Sequence, residues 1–219
     1  MSYPSAPWTL QGYAFQTLHL LDSDKSRGFI PPELEIVSVL PGKTLGGVYF
    51  SAYQSGSILE YNELIVVPAL VNYQGKIGVW ISHIYVDNEE SVAGGREIWG
   101  LPKQMAEFIW DKNEVNIYQN NRKLCNFRYQ QGFFNLSTGW RQPLMATSFG
   151  GLNTNLLFFT STAKSHIGLV EGQLEIPDNS PFSQLQLSQH IVSLKLSELT
   201  LTVNPPRVVG KKSVLTSIT

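Results

Sequence analysis

Apolar side chains recur at every second position through most of this chain, and that rhythm restricts it to a fold built from strands. In residues 77–85, Ile77, Val79, Ile81, His83 and Tyr85 fall on one face and Trp80 and Ile84 on the other. The same alternation marks strand candidates at 13–20, 34–39, 48–53, 62–71, 115–119, 124–129 and 133–137, and again at 156–161, 167–176 and 191–203. Pro41-Gly42, Ser55-Gly56, Gln74-Gly75, Asn120-Asn121, Gln131-Gly132 and Gly150-Gly151 supply turn signals between them. Several strands carry large residues on both faces, as expected of a sheet that curls around a core and is covered outside. The expectation is a mainly β (α+β) fold: one antiparallel-rich, barrel-like or cone-like domain over residues 1–219, with few short helices. Residues after Pro206 read as loosely held.

Composition narrows the functional class. A chain of 219 residues with 42% apolar content can bury one substantial core. A net charge of −1 and no basic run beyond Lys211-Lys212 argue against nucleic acid as a partner. Apolar stretches such as 64–71 are interrupted by Pro68 and are too short to cross a bilayer. The segment 1–7 lacks the charged and apolar regions of a secretory signal. Cys125 has no cysteine partner, which fits a reducing compartment. A cytoplasmic globular protein, with neither nucleic acid nor membrane as partner, is the expectation.

One helix is clearly written, from Glu89 to Trp99. Asn88 suits the N-cap, Glu89 and Glu90 sit at the positive end, and Gly100 and Pro102 stop it. Val92, Gly95 and Trp99 share a face. Gly94 and Gly95 inside a helix cost roughly 1 kcal/mol each relative to alanine, which close packing of helix on sheet would explain. A second short helix is expected at 182–187. Just beyond the first lies Lys103, directly behind a proline, where a long cation gains little if it only solvates a surface. An ordinary lysine amine has a pKa of about 10.4, so about one molecule in a few thousand is neutral at pH 7. Making it a nucleophile there takes roughly 4.6 kcal/mol, from an apolar wall or a neighbouring cation. Trp99, Leu101, Met105 and Phe108 offer apolar material nearby. A solvated surface lysine is the alternative.

Tyr61-Asn62-Glu63, Tyr85-Val86-Asp87-Asn88-Glu89, Gly95-Arg96-Glu97 and Pro102-Lys103 occur in that order. Together they resemble the acetoacetate decarboxylase family across residues 61–105: a Tyr-x-Glu strand, an aromatic-x-Asp-Asn-Glu turn, a helix ending Gly-Arg-Glu, then Pro-Lys. The resemblance implies the family's β-rich fold, with Lys103 as the Schiff-base nucleophile and Glu63 as the acid near its amine. Leu101 would form part of the apolar wall, with Gln104, Gln11 and Arg96 as further substrate-binding candidates. The implied activity is a lyase acting on a small keto acid or ketone, by decarboxylation or by aldol or dehydration chemistry. It needs no metal and no organic cofactor. The family also implies a homo-oligomer, at least a dimer. Read without the family pattern, Glu63 is an exposed or salt-bridged strand residue.

The chain departs from the decarboxylase pattern in specific places. The residue after the nucleophile is lysine there and Gln104 here, which removes the adjacent cation credited with activating the amine in acetoacetate decarboxylase itself. Where the decarboxylase has an N-terminal arginine, this chain offers Gln11 and Gly12, and 48–53 lacks a second pocket glutamate. A non-catalytic β-barrel that binds a small apolar or keto ligand is therefore the alternative function.

Other constellations carry less. Arg96 and Glu97 are adjacent on a helix and do not face each other. Asp87-Asn88-Glu89-Glu90 reads as a turn and helix cap rather than a cation loop. His19, His83, His166 and His190 are dispersed, without metal-ligand spacing, and His83 reads as a hydrogen-bonded wall residue. Gly150-Gly151 reads as a turn, not a phosphate loop. Cys125 alternates with Phe127 and Tyr129 and reads as core. Ser137 and Ser148 lack a nucleophile elbow.

Overall fold

The computed structural model describes residues 3–131 and 141–212. In chain order its elements are β1 (Trp8–Asp22), α1 (Ser23–Arg27), β2 (Glu35–Ile36), β3 (Lys43–Tyr53), β4 (Tyr61–Val67), β5 (Ala69–Tyr73) and β6 (Lys76–Trp80). There follow β7 (His83–Val86), α2 (Glu89–Trp99), β8 (Lys103–Met105), β9 (Glu107–Asp111), β10 (Glu114–Gln119) and β11 (Arg122–Gln131). The last are β12 (Gln142–Leu152), β13 (Asn155–Glu175), β14 (Val192–Val203) and β15 (Arg207–Lys211). The main sheet runs β2-β5-β6-β12-β13-β14-β1-β3-β4-β7-β8, and β9, β10, β11 and β15 attach through β13. Most pairings are antiparallel; β12 with β6 and β7 with β8 are parallel. The path does not close, so the sheet is barrel-like or cone-like without being a complete barrel.

Alternation along the strands gives the sheet two different faces. On the outer face, Phe15, Phe50, Leu64 and Tyr85 pack against Val115, Ile117, Leu124, Cys125 and Phe127 from β10 and β11. Phe50 and Phe127 stack with ring centroids 5.0 Å apart. On the inner face, residues offset by one, such as Tyr49, Glu63, Ile65 and Ile84, turn toward an internal cavity. A one-residue slip of register would exchange the two sets.

Several elements differ from the sequence expectation for identifiable reasons. The run 77–85 is two strands, because the chain leaves the sheet at Ile81-Ser82 and β6 and β7 join different neighbours. Pro68 likewise divides 62–71 into β4 and β5. The expected strands at 156–161 and 167–176 merge into one long strand, β13, which ends at Glu175 and has a bulge between Lys164 and His166. Gly150-Gly151 is not a turn but lies inside β12: a Cβ on Gly150 would overlap the Trp99 carbonyl, and Gly151 N–H donates to the Gly100 carbonyl at 3.1 Å. The pair of glycines lets the end of α2 approach the strand. After Pro206, Arg207–Lys211 are held as β15 against β13, and residues 213–219 lie outside the described residues. The expected helix at 182–187 is a single 3-10 turn, Ser183–Leu185. The expected strand at 133–137, Gly132 of the Gln131-Gly132 turn, and Ser137 lie outside the described residues.

Candidate active site

The segment Tyr61–Met105 builds a lysine socket from adjacent elements. Asn88 caps α2 by accepting from Ser91 N–H at 2.9 Å, and Asp87 accepts from both the backbone and side-chain amides of Asn62, fixing the start of β4 to the turn. At its other end α2 stops at Gly100, whose φ of 65° is the left-handed conformation glycine favours, and whose N–H returns to the Arg96 carbonyl. The chain then folds tightly over Pro102, Lys103 N–H reaching the Leu101 carbonyl at 2.8 Å, and enters β8 parallel to β7. Register sets Lys103 opposite Ile84, and Ile84 opposite Ile65 on β4. Glu63, two residues along β4, therefore shares the inner face with Lys103.

Lys103 and Glu63 meet in the interior, at 3% and 4% exposure. Lys103 Nζ donates to Glu63 Oε1 at 2.8 Å, to Ser91 Oγ at 2.9 Å and, at 3.5 Å, to the Tyr61 hydroxyl. It also lies 4.8 Å from the Tyr61 ring centroid and 5.8 Å from the Trp8 ring, close enough for the ring faces to favour a cation. Tyr53 OH donates to Glu63 Oε2 at 3.2 Å, and the Tyr49 hydroxyl lies 3.3 Å from that of Tyr53. Burial raises the pKa of Tyr49, Tyr53 and Tyr61, with the nearby Glu63 charge adding to it, so all three keep their protons and remain donors.

Gly95 explains how the stem of the lysine fits. A Cβ at that position would come within 2.5 Å of Lys103 Cδ and 2.7 Å of Cε. Gly94 answers to Trp8 in the same way, at 2.6 Å. One glycine seats the helix on the sheet, as the sequence suggested; the other clears a channel for the nucleophile candidate itself.

The amine faces a cavity of about 630 Å³ bounded by β1, β3–β8 and β12–β14. Glu63, Tyr49, Tyr53 and Tyr61 gather at the Lys103 end. Leu10, Leu18, Leu45, Leu196 and Leu201 line much of the rest. Leu101 lines this cavity, at 8% exposure. The other candidates sit elsewhere. Gln104, on the opposite face of β8, is exposed and accepts from Gln119 Nε2 at 2.9 Å. Gln11 is exposed beside Ser57 and does not line the cavity; the amide that does so from β1 is Gln16. Arg96 Nε donates to the Lys103 carbonyl at 2.7 Å, so it anchors the backbone of β8. Its side chain borders a separate cleft of about 840 Å³ that also touches His83 and, among the described residues, shares only Ile81 and Leu101 with the first.

Tyr49, Tyr53, Ser91 and Trp8 were not singled out from sequence. Ser91 has a local signal, lying one helical turn before Gly95 on the same face. The tyrosines of β3 reach Glu63 only through the β3–β4 register, which pairs Ser51 with Glu63 and Tyr53 with Tyr61. Among the described residues no three of His, Cys, Asp and Glu gather as a metal site. His83 is hydrogen-bonded to Ser82 Oγ at 2.9 Å and packs on Phe29 and Phe182, and Cys125 is fully buried.

A protein named NEOXANTHIN-DEFICIENT 1 from Solanum lycopersicum is 33% identical over 108 residues, 49% of this chain and 36% of that protein. An acetoacetate decarboxylase from Paraburkholderia phytofirmans is 31% identical over 114 residues, 48% of this chain and 40% of that enzyme. The matches thus span well under half of these relatives. Among solved structures, the acetoacetate decarboxylase of Legionella pneumophila superposes with a TM-score of 0.74 at 17% identity, covering 96% of this chain and 90% of that one. The enduracididine biosynthesis enzyme MppR, in complex with pyruvate, gives 0.65 at 15% identity, covering 95% and 91%. The family model for acetoacetate decarboxylase matches residues 2–213, and the chain belongs to that family.

Proposed function

We propose that this protein is a lyase that binds a ketone or keto acid as an imine on Lys103, with Glu63 as its proton carrier. The observation that carries the reading is the buried 2.8 Å contact between Lys103 Nζ and Glu63 Oε1 at the polar end of a cavity large enough for substrate. Two charges withdrawn from water cost several kcal/mol each unless paired, so a fold has little reason to hold them there as packing alone. The amine needs a base to become a nucleophile, and one lies within hydrogen-bond reach.

The steps balance without any redox partner. Glu63 takes one proton from the ammonium, and the freed lone pair forms a C–N bond as the carbonyl π pair moves to oxygen. That oxygen then leaves as water. The three protons of the ammonium end as two on the departing water and one on the iminium nitrogen. A cation thus replaces a cation beside the Glu63 carboxylate, and the buried charge count is unchanged. The iminium then accepts the electron pair of a breaking bond at the adjacent carbon, from a departing carboxylate or aldol fragment or from an α-proton. Tyr61 and Ser91 hold the nitrogen, and Tyr53 holds the second carboxylate oxygen.

Relatives named acetoacetate decarboxylase and relatives named for a neoxanthin deficiency both match, so membership alone does not select the substrate. A binding barrel for an apolar ligand is the second reading, favoured by the apolar character of most of the cavity wall. Cytoplasmic location and assembly into at least a dimer belong to the same proposal. No helix among the described residues is long and apolar enough to cross a membrane. The open sheet path leaves β2 and β8 as edges that association would cover.

Borohydride trapping after incubation with acetoacetate, pyruvate and neutral ketones tests the reading. An adduct mapped by mass spectrometry to Lys103, and missing in Lys103→Ala, is expected. An adduct on other lysines alone would overturn it.

A further inference from the structure

We infer that the substrate is a neutral ketone or aldehyde borne on an apolar chain or ring system of between roughly ten and twenty heavy atoms. This rests on the imine reading above and goes further, because it assigns the substrate class from the wall rather than from the amine.

Charge gives the first argument. Among the described residues that line the cavity, Lys103 and Glu63 are the charged ones, and they engage each other. Imine formation consumes the amine, so no second cation remains to hold a substrate carboxylate. The other polar groups of the wall are Gln16, Ser148, Ser161 and the three tyrosines. A carboxylate carried into this wall would lose its hydration with no countercharge but the iminium, which Glu63 already neutralises, and it would be repelled by Glu63. A neutral carbonyl pays neither penalty.

Size gives the second. A four-carbon keto acid has seven heavy atoms; even at a full water's share of about 30 Å³ each, it needs about 210 Å³. The cavity offers about 630 Å³, in the range that encloses ligands of about twenty heavy atoms. A small keto acid would leave some two-thirds of the space to water against leucine side chains, which apolar walls do not favour.

The rim gives the third. Leu18, Leu45 and Leu144 are 37%, 38% and 37% exposed, Met145 is 76% exposed, and all four border this cavity. Exposed large apolar groups at the rim of a pocket favour an apolar solute over a charged one. On a neutral substrate the iminium has no carboxylate to lose. Its chemistry is removal of an α-proton to give an enamine, which adds to the carbonyl of a second aldehyde or expels a β-hydroxyl as water; alternatively, a β-hydroxyl gives up its proton to Glu63 and the α–β carbon bond breaks, its pair passing to the iminium and an aldehyde leaving.

The test is competitive trapping with cyanoborohydride, using 2-tridecanone, acetone and acetoacetate as carbonyl probes, with adducts mapped by mass spectrometry. Half-maximal labelling of Lys103 by 2-tridecanone at a concentration at least tenfold below acetone and acetoacetate is expected. Met145→Glu, an exposed substitution that spares the fold, is expected to lower the long-to-short preference at least threefold. Labelling by acetoacetate at equal or lower concentration would overturn the substrate class and leave the imine reading standing. If nothing labels Lys103, the imine reading fails, and thermal shift decides the cavity's class. Stabilisation by 2-tridecanone and not by acetoacetate upholds an apolar ligand; stabilisation by neither overturns it.

Discussion

The two faces of one sheet have been put to opposite uses. Along β3 and β4, Phe50 and Leu64 point outward into a packed core, while their neighbours Tyr49, Tyr53 and Glu63 point inward to the lysine socket. The outer face is filled with rings stacked against Phe127; the inner face lines a cavity of about 630 Å³ and buries an ion pair. A strand cannot serve one face without displaying the other, so stability and chemistry are interleaved at a spacing of one residue. Substitutions at adjacent positions should therefore fail in different ways.

Lys103→Ala gives the largest expected effect, loss of all imine trapping. It also leaves the Glu63 carboxylate buried without its cation, which costs about 3–5 kcal/mol where such pairs are broken. The double substitution Lys103→Met/Glu63→Gln removes both charges; urea unfolding should place it closer to wild type than Lys103→Ala. Glu63→Gln alone keeps shape and hydrogen bonding but not proton transfer, and turnover is expected to fall about 100- to 10,000-fold. On the other face, Phe50→Ala should cost about 3–5 kcal/mol of unfolding free energy while trapping per folded molecule stays near wild type. A drop in trapping that matches Glu63→Gln would break the separation of the faces.

Gly95→Ala crosses the divide. Alanine favours the helix by about 1 kcal/mol, yet its methyl would meet the Lys103 stem, so stability and activity should move apart. Loss of at least tenfold in turnover with little loss of stability is expected, read by paired kinetics and urea melts.

Acid should damage the scaffold through two histidines. Burial lowers the pKa of His19 and of His83 to about 4, from an ordinary value of 6.5. Between those values the unfolded chain binds more protons, so stability is present above pH 6.5 and is lost as pH falls toward 4. The loss by pH 5 is about 2 kcal/mol for each. Urea midpoints measured from pH 7 to pH 5 check this, and His83→Gln should remove about half of that part of the slope. The smallest effect is at Gln104, exposed on the outer side of β8: Gln104→Ala should change turnover less than twofold.

What could be read from sequence was what the chain keeps local. The helix from Glu89 to Trp99, its Asn88 cap and its Gly100 stop lie in one continuous stretch, as does the motif that points to Glu63 and Lys103. The family pattern gave the candidate pair, since spacing alone does not show that β4 and β8 face the same space. Tyr53 needed the β3–β4 register, and the rim at Leu144 and Met145 needed β12. Gly150-Gly151 has the composition of a turn, and only the arrival of Trp99 from elsewhere shows it to be a strand with room made in it. Arg207–Lys211 has little strand signal of its own and is ordered by pairing with β13.

Deuterium exchange at the α-carbon of a neutral ketone, followed by NMR in D2O, tests the central claim most directly, because it reads enamine formation in turnover rather than occupancy. Wild-type protein should incorporate deuterium well above the buffer rate. Glu63→Gln should lose at least 100-fold and Lys103→Ala all of the catalysed exchange. Exchange by wild type no faster than buffer, with the ketone bound, would mean that the buried pair holds a ligand and performs no chemistry on it.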